Sequence, residues 1–98
     1  MTQVSIILPV YNERSSIESV VKEWKHELTK LKISHEFVIC EDGSTDGTSE
    51  FLKKIQKTYS LVLNQVKIRR GYGGAVIDGI KTSKSEYLLR IDSESESM

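Results

Sequence analysis

The chain has 98 residues with a single cysteine and a single proline, enough for one small domain around one core. Fourteen Lys and Arg balance fourteen Asp and Glu, which removes any global electrostatic case for nucleic acid or for an anionic membrane surface. The apolar runs are only a few residues long, so neither a signal peptide nor a spanning segment is expected, and the chain reads as cytoplasmic.

Charge is unevenly spread. Between Lys53 and Lys84 there are eight basic residues against Asp78 alone, whereas Asp92, Glu94 and Glu96 crowd the end. Cys40 has no partner for a disulfide, and its neighbours Val38 and Ile39 indicate a buried thiol in a reducing compartment. His26 and His35 lack ligands at metal-like spacing and read as surface residues.

Val4-Ser5-Ile6-Ile7-Leu8 is a β-branched apolar run stopped by Pro9, the pattern of a buried first strand. After the link of residues 10–14, apolar side chains recur at Ile17, Val20, Val21, Trp24, Leu28 and Leu31, which is helical spacing. Ser15 and Glu18 have capping-box spacing, so this helix is expected to start near Ser15 and to cover a sheet with its Trp24 face. Phe37-Val38-Ile39-Cys40 forms a second strand that ends in the turn-rich octet Glu41-Asp42-Gly43-Ser44-Thr45-Asp46-Gly47-Thr48. Phe51, Leu52 and Ile55 mark a shorter helix. Leu61-Val62-Leu63 and Val66 mark a third strand, interrupted by Asn64-Gln65. Arg69-Arg70-Gly71-Tyr72-Gly73-Gly74 then leads into a small-residue helix over residues 75–80. Tyr87 to Ile91 is the last strand, expected to be buried although it carries Arg90.

Strands alternating with helices on short links predict an α/β, Rossmann-like fold, a mostly parallel sheet of about four strands with helices on both faces. Right-handed crossovers gather the strand-to-helix links on the carboxyl edge of such a sheet. Residues 9–13, 41–46 and 92–94 therefore meet along one edge.

Each link carries two readings. Asp42 is either a turn-former beside Gly43 or an acceptor for the N–H edge of a nucleobase or for ribose hydroxyls. Tyr11 is a packed aromatic or a stacking face for a base, with Pro9 fixing the backbone and Glu13 offering another acceptor. Asp46 and Ser44 suit the free N–H groups of the helix that starts near Gly47. Arg70 and Gly71 open a stretch resembling a phosphate cradle at a helix start, and Gly73, Gly74, Ala75 and Gly79 would equally serve close helix-to-sheet packing. Arg69 and Arg70 either hold diphosphate oxygens or face water. Asp92-Ser93-Glu94 is an acidic tail or a pair of hard oxygen ligands for a divalent cation.

Taken together, Ser5-Ile-Ile-Leu-Pro9-Val-Tyr11-Asn-Glu13, Glu41-Asp42-Gly-Ser-Thr-Asp46-Gly-Thr48, Arg70-Gly-Tyr-Gly-Gly74-Ala-Val-Ile-Asp-Gly79 and Ile91-Asp92-Ser-Glu94 resemble the family 2 inverting glycosyltransferases. The likeness is greatest to the branch that moves sugars onto polyprenyl or dolichol phosphate. It implies the nucleotide-binding half of a GT-A fold over residues 1–98. It implies a nucleoside pocket lined by Pro9, Tyr11 and Glu13, with Cys40 and Asp42 on the base. It further implies that Asp92, Ser93 and Glu94 form the acidic motif through which Mg²⁺ or Mn²⁺ meets the donor diphosphate, Asp92 and Glu94 being the ligands. Glu94 stands where the family usually has a second Asp, and Glu96 where the polyprenyl branch often has Gln.

The expected function is donor binding: a UDP- or GDP-linked sugar and a divalent metal, for transfer to a lipid phosphate or glycan, at the cytoplasmic face of a membrane where the acceptor is a lipid. Family members carry the acceptor half after the metal motif, so a chain ending four residues beyond Glu94 is expected to be able to bind but poorly able to transfer. The alternative is a non-catalytic nucleotide-binding module that self-assembles through an open sheet edge. A sugar-1-phosphate nucleotidyltransferase would want a glycine-rich basic segment where this chain has Pro9-Val10-Tyr11-Asn12-Glu13.

Overall fold

The computed structural model of the protein describes residues 2–91. Along them run β1 (Val4–Val10), α1 (Ile17–Lys30), β2 (His35–Asp42), α2 (Thr48–Tyr59), β3 (Leu61–Val66), α3 (Tyr72–Thr82) and β4 (Tyr87–Arg90). The strands lie in the order β3-β2-β1-β4, and each neighbouring pair is parallel. The alternation of strand and helix therefore builds the parallel α/β sheet that the sequence predicts.

The sheet is doubly wound. Two crossovers step from β1 to β2 to β3, and the third returns to the far side of β1. With right-handed crossovers, opposite steps put their helices on opposite faces. Accordingly α1 and α2 share one face, where Ile6, Leu8, Val10, Phe37 and Ile39 meet Ile17, Val20 and Val21 of α1 and Leu52, Ile55 and Tyr59 of α2. On the other face α3 lies against Ile7, Val38 and Cys40 through Ala75. Trp24 packs at the margin of the larger cluster, on the face expected of it.

Gly79 sets how closely α3 approaches. A Cβ there would stand 2.6 Å from Cys40 Sγ and 2.7 Å from Ile7 Cγ2, inside any real carbon contact. Close packing thus explains Gly79 and the buried Ala75, but not Gly73, whose added Cβ would meet nothing within 4 Å.

Several expected boundaries move. β1 continues through Pro9 to Val10 rather than stopping there. The Ile7 carbonyl accepts from the Ile91 N–H, so Ile7, and Pro9 two residues on, face the β4 side, where β4 has already ended opposite Ile7. The missing proline N–H therefore costs no ladder bond. β3 runs unbroken through Asn64 and Gln65. The capping box does not form: α1 begins at Ile17, Ser16 donates through Oγ to Glu13 Oε1 at 2.9 Å, and Glu18 is engaged instead by the Tyr59 hydroxyl of α2 at 2.7 Å. α3 starts at Tyr72, three residues earlier than its apolar pattern implies. β4 is an edge strand with all four residues exposed, which removes the oddity of Arg90, whose guanidinium lies 5.4 Å from the centre of the Tyr72 ring. His35 opens β2 half-buried, edge-on to Phe37, with Nδ1 2.8 Å from the Ile33 carbonyl oxygen, so it is less of a surface residue than expected.

Candidate functional site at the carboxyl edge

The return of the chain across β1 makes a switch point between β1 and β4, and open α/β sheets take ligands outside the carboxyl ends of their strands at such a point. β1 delivers Pro9 and Tyr11 to this edge, β2 delivers Asp42, and β3 leads into the segment of residues 67–71.

Two of the links are laced together. The Asn12 N–H donates to Ser44 Oγ at 2.9 Å, and the Thr45 N–H to Asn12 Oδ1 at 2.7 Å. The Glu13 N–H donates to Thr48 Oγ1 at 3.1 Å, and the Arg14 N–H to Asp46 Oδ2 at 3.5 Å. Asn12 sits at φ 53°, a left-handed conformation that asparagine tolerates better than most residues. Asp46 Oδ1 also takes the Thr48 N–H at 3.1 Å and so serves the start of α2 as expected, while Ser44 holds the first link instead.

Asp42 is heavily engaged at the edge. Its residue is 3% exposed. Oδ1 accepts from the Arg70 N–H at 2.7 Å and from Arg70 Nε at 3.2 Å, and Oδ2 accepts from the Gly71 N–H at 3.1 Å and Arg69 Nε at 3.4 Å. Burial pushes this carboxyl up, but the Arg70 main-chain and side-chain bonds, with those from Gly71 and Arg69, outweigh it and hold it below its ordinary value. The cradle that the glycine stretch suggested does hold an anion. That anion is Asp42, seated where α3 begins and Gly71 turns at φ 85°.

Arg70 is correspondingly turned inward rather than out to solvent. It is 14% exposed and donates through Nη1 to Asn64 Oδ1 and to Asp78 Oδ2, both at 2.7 Å, and through Nη2 to the Glu41 carbonyl at 2.9 Å. Its partner Asn64 is one of the two residues taken to interrupt β3. The other, Gln65, donates to Glu41 Oε1 at 2.9 Å. Glu41, to which sequence reasoning gave no role, is 1% exposed, and its Oε2 is buried with no hydrogen-bond partner. Polar residues inside a strand were the signal that such a network exists.

Cys40 lies deeper, beneath α3. Its thiol is wholly buried against Gly79 and Ile7, and burial, with Asp78 adding and Arg70 subtracting, pushes it up to about 11. The side chain is part of the packing under α3. Pro9 is half-buried at the end of β1, opposite Cys40. Tyr11 is half-buried, and the Arg69 guanidinium lies 3.7 Å from the centre of its ring. Glu13 accepts from Ser16 at the start of α1. Asp92, Ser93 and Glu94 lie outside the described residues. Among the described residues no group of three His, Cys, Asp or Glu side chains could hold a metal ion, and no helix is long and apolar enough to cross a membrane.

An aromatic face and a buried carboxylate meet beside the switch point of a doubly wound parallel sheet, the place where the open α/β class of domain takes its ligands. The chain belongs to glycosyl transferase family 2, whose family model matches residues 5–97. It is 34% identical over 99 residues to the dolichyl-phosphate beta-glucosyltransferase of Dictyostelium discoideum, covering 93% of this chain and 30% of that protein. It is 28% identical over 93 residues to the undecaprenyl-phosphate 4-deoxy-4-formamido-L-arabinose transferase of Aeromonas hydrophila, with coverage of 93% and 28%. The chain thus spans less than a third of the length of these relatives. Among solved structures, the mannosyltransferase PcManGT from Pyrobaculum calidifontis in complex with GDP-Man and Mn²⁺ superposes with a TM-score of 0.81 at 26% identity, over 94% of this chain and 27% of the other. S. aureus TarS 1-349 in complex with UDP-GlcNAc gives 0.74 at 26% identity, over 95% and 27%. The four-stranded parallel sheet with its helices matches the GT-A fold of these glycosyltransferase neighbours.

Proposed function

We propose that this chain is the donor-binding region of a nucleotide-sugar glycosyltransferase that acts on a polyprenyl-phosphate acceptor at the cytoplasmic face of a membrane. The observation that carries the reading is the meeting of Tyr11 and Asp42 at the carboxyl edge beside the β1–β4 switch point. Tyr11 supplies a flat face for a base and Asp42 an acceptor for its N–H groups. Pro9 and Glu13 flank them, and the laced links hold the wall still. Relatives named for dolichyl-phosphate and undecaprenyl-phosphate transfer support the acceptor class, and a neighbour crystallised with GDP-Man and Mn²⁺ supports the donor class and the metal.

Asp92 and Glu94 are the residues that would hold Mg²⁺ or Mn²⁺, and their carboxylate chemistry suits a hard cation. Such a cation, when bound, offsets charge on the departing nucleoside diphosphate. The described residues do the rest of the donor's work: they stack the base, accept its N–H groups and fix the loops.

A thermal-shift titration with UDP and GDP, with and without Mn²⁺, tests the reading. At about 100 times Kd, binding to the native state alone adds about 2.7 kcal/mol. Absence of a shift with both nucleotides would sink it. Asp92→Ala is expected to abolish the metal dependence chiefly, whereas Tyr11→Ala reduces the shift with or without metal.

A second reading, self-assembly, is favoured by one observation. The edge strand β4 exposes Tyr87, Leu88 and Leu89, and among the described residues no strand pairs with its outer side. Sedimentation that gives a monomer at every concentration would dismiss it.

A further inference from the structure

The two groups proposed to receive the nucleobase are bridged by one side chain. The Arg69 guanidinium lies 3.7 Å from the centre of the Tyr11 ring, and its Nε is 3.4 Å from Asp42 Oδ2. A flat, π-delocalised group that stacks on the tyrosine and turns an N–H toward the carboxylate reproduces both contacts a base would make. Two planar groups cannot share that volume at stacking distance. We propose that Arg69 is the resident occupant of the nucleobase subsite and that a nucleotide binds by displacing it. The inference rests on the donor-site reading given above.

Surrounding geometry makes the exchange a matter of one side chain. The Arg69 backbone runs close to Gly43, where an added Cβ would stand 3.4 Å from both Arg69 N and Cγ, and it is anchored by the next N–H, that of Arg70, which is bonded to Asp42. Beyond Cγ the side chain is held through its contacts with Tyr11 and Asp42, and it is 54% exposed, against 14% for Arg70. Rotamer changes of exposed side chains take picoseconds to nanoseconds, so release needs no loop opening. Asp42 keeps its three bonds from Arg70 and Gly71 when Arg69 leaves, and the freed Oδ2 position is then the one offered to a base. The occupied state lowers apparent affinity by the fraction of molecules in which the subsite is open.

The test uses the 98-residue chain, its Arg69→Ala and Arg69→Lys variants, and four probes: uridine, guanosine, UDP and GDP. The neutral nucleosides separate stacking from the loss of a positive charge. Arg69→Ala is expected to bind its preferred nucleoside about two- to fivefold more tightly than the parent, the factor a solvent-exposed cation–π contact is worth. Arg69→Lys, which keeps the charge but not the plane, should fall between. In the parent, the Nε–H proton resonance of Arg69 should be displaced upfield by the Tyr11 ring current and return toward its free value on saturation with UDP or GDP. Equal or weaker nucleoside binding by Arg69→Ala overturns the proposal, as does a ring-current displacement that persists in the complex. If parent and variants bind none of the four probes, the donor-site reading fails and this inference with it. Binding by the parent that is lost in Tyr11→Ala but not improved in Arg69→Ala refutes displacement alone.

Discussion

The Gly71 N–H donates to Asp42 Oδ2 at 3.1 Å across 29 positions of sequence, so the start of α3 is capped by a carboxylate from the end of β2. That single bond ties the β2 loop to the β3–α3 segment and makes Asp42 a structural residue as well as a candidate ligand group.

Asp42→Ala should therefore unfold the protein more readily by about 2–3 kcal/mol, the worth of buried hydrogen bonds to a charged group. The midpoint of urea denaturation measures it. Because stability and binding share this side chain, nucleotide affinity of the variant should be measured by isothermal titration well below its own melting temperature. A variant as stable as the parent would contradict the network described here.

Acid should weaken the fold through the same group. Asp42 and Asp46 both titrate below their ordinary value of 3.8, burial raising each and hydrogen bonds, from Arg70 for Asp42 and from Thr48 for Asp46, more than compensating. Between the folded and unfolded pKa values the unfolded chain binds more protons, so stability rises with pH across that window. It is fully present above the unfolded value and is lost as pH falls through the folded one. Urea titrations at a series of pH values should show this slope, and it should be shallower in Asp42→Asn.

Gly79→Ala should cost about 1–3 kcal/mol, as overpacking does, because the new methyl would overlap Cys40 and Ile7. A double-mutant cycle with Cys40→Ala checks the cause. The pair should be less destabilised than the sum of the single changes, since each relieves the crowding of the other.

The Cys40 thiol, buried and pushed up to about 11, should resist thiol reagents at pH 8 in the native protein and react fully in denaturant. Its native reaction rate, followed by release of a chromogenic thiol, should track opening of the fold. Rapid stoichiometric labelling of the native chain would show that α3 does not cover β2.

The strand-helix alternation and the convergence of the links on one edge were legible because apolar periodicity and crossover handedness are local or general rules. Which strand neighbours which was not. Pro9 reads as a strand stop only until its ring nitrogen is known to face past the end of β4, and Asn64 and Gln65 read as interruptions until Arg70 and Glu41 appear beside them. Glu18 likewise looks like half of a capping box because Tyr59, its actual donor, lies 41 residues away. The candidate site divides in the same way. Tyr11 and Asp42 were found by position on the edge, whereas the inward turn of Arg70 depends on four partners drawn from β2, β3 and α3.

The lacing of residues 12–14 to residues 44–48 has a consequence for exchanging parts between relatives. Five hydrogen bonds cross between the two links among the described residues, two of them from main-chain N–H groups to the hydroxyls of Ser44 and Thr48. A graft that replaces either link alone strands donors or acceptors in the other. The two segments are one transplantable unit, discontinuous in sequence, and a chimera that moves both together should retain the fold where a chimera that moves one does not.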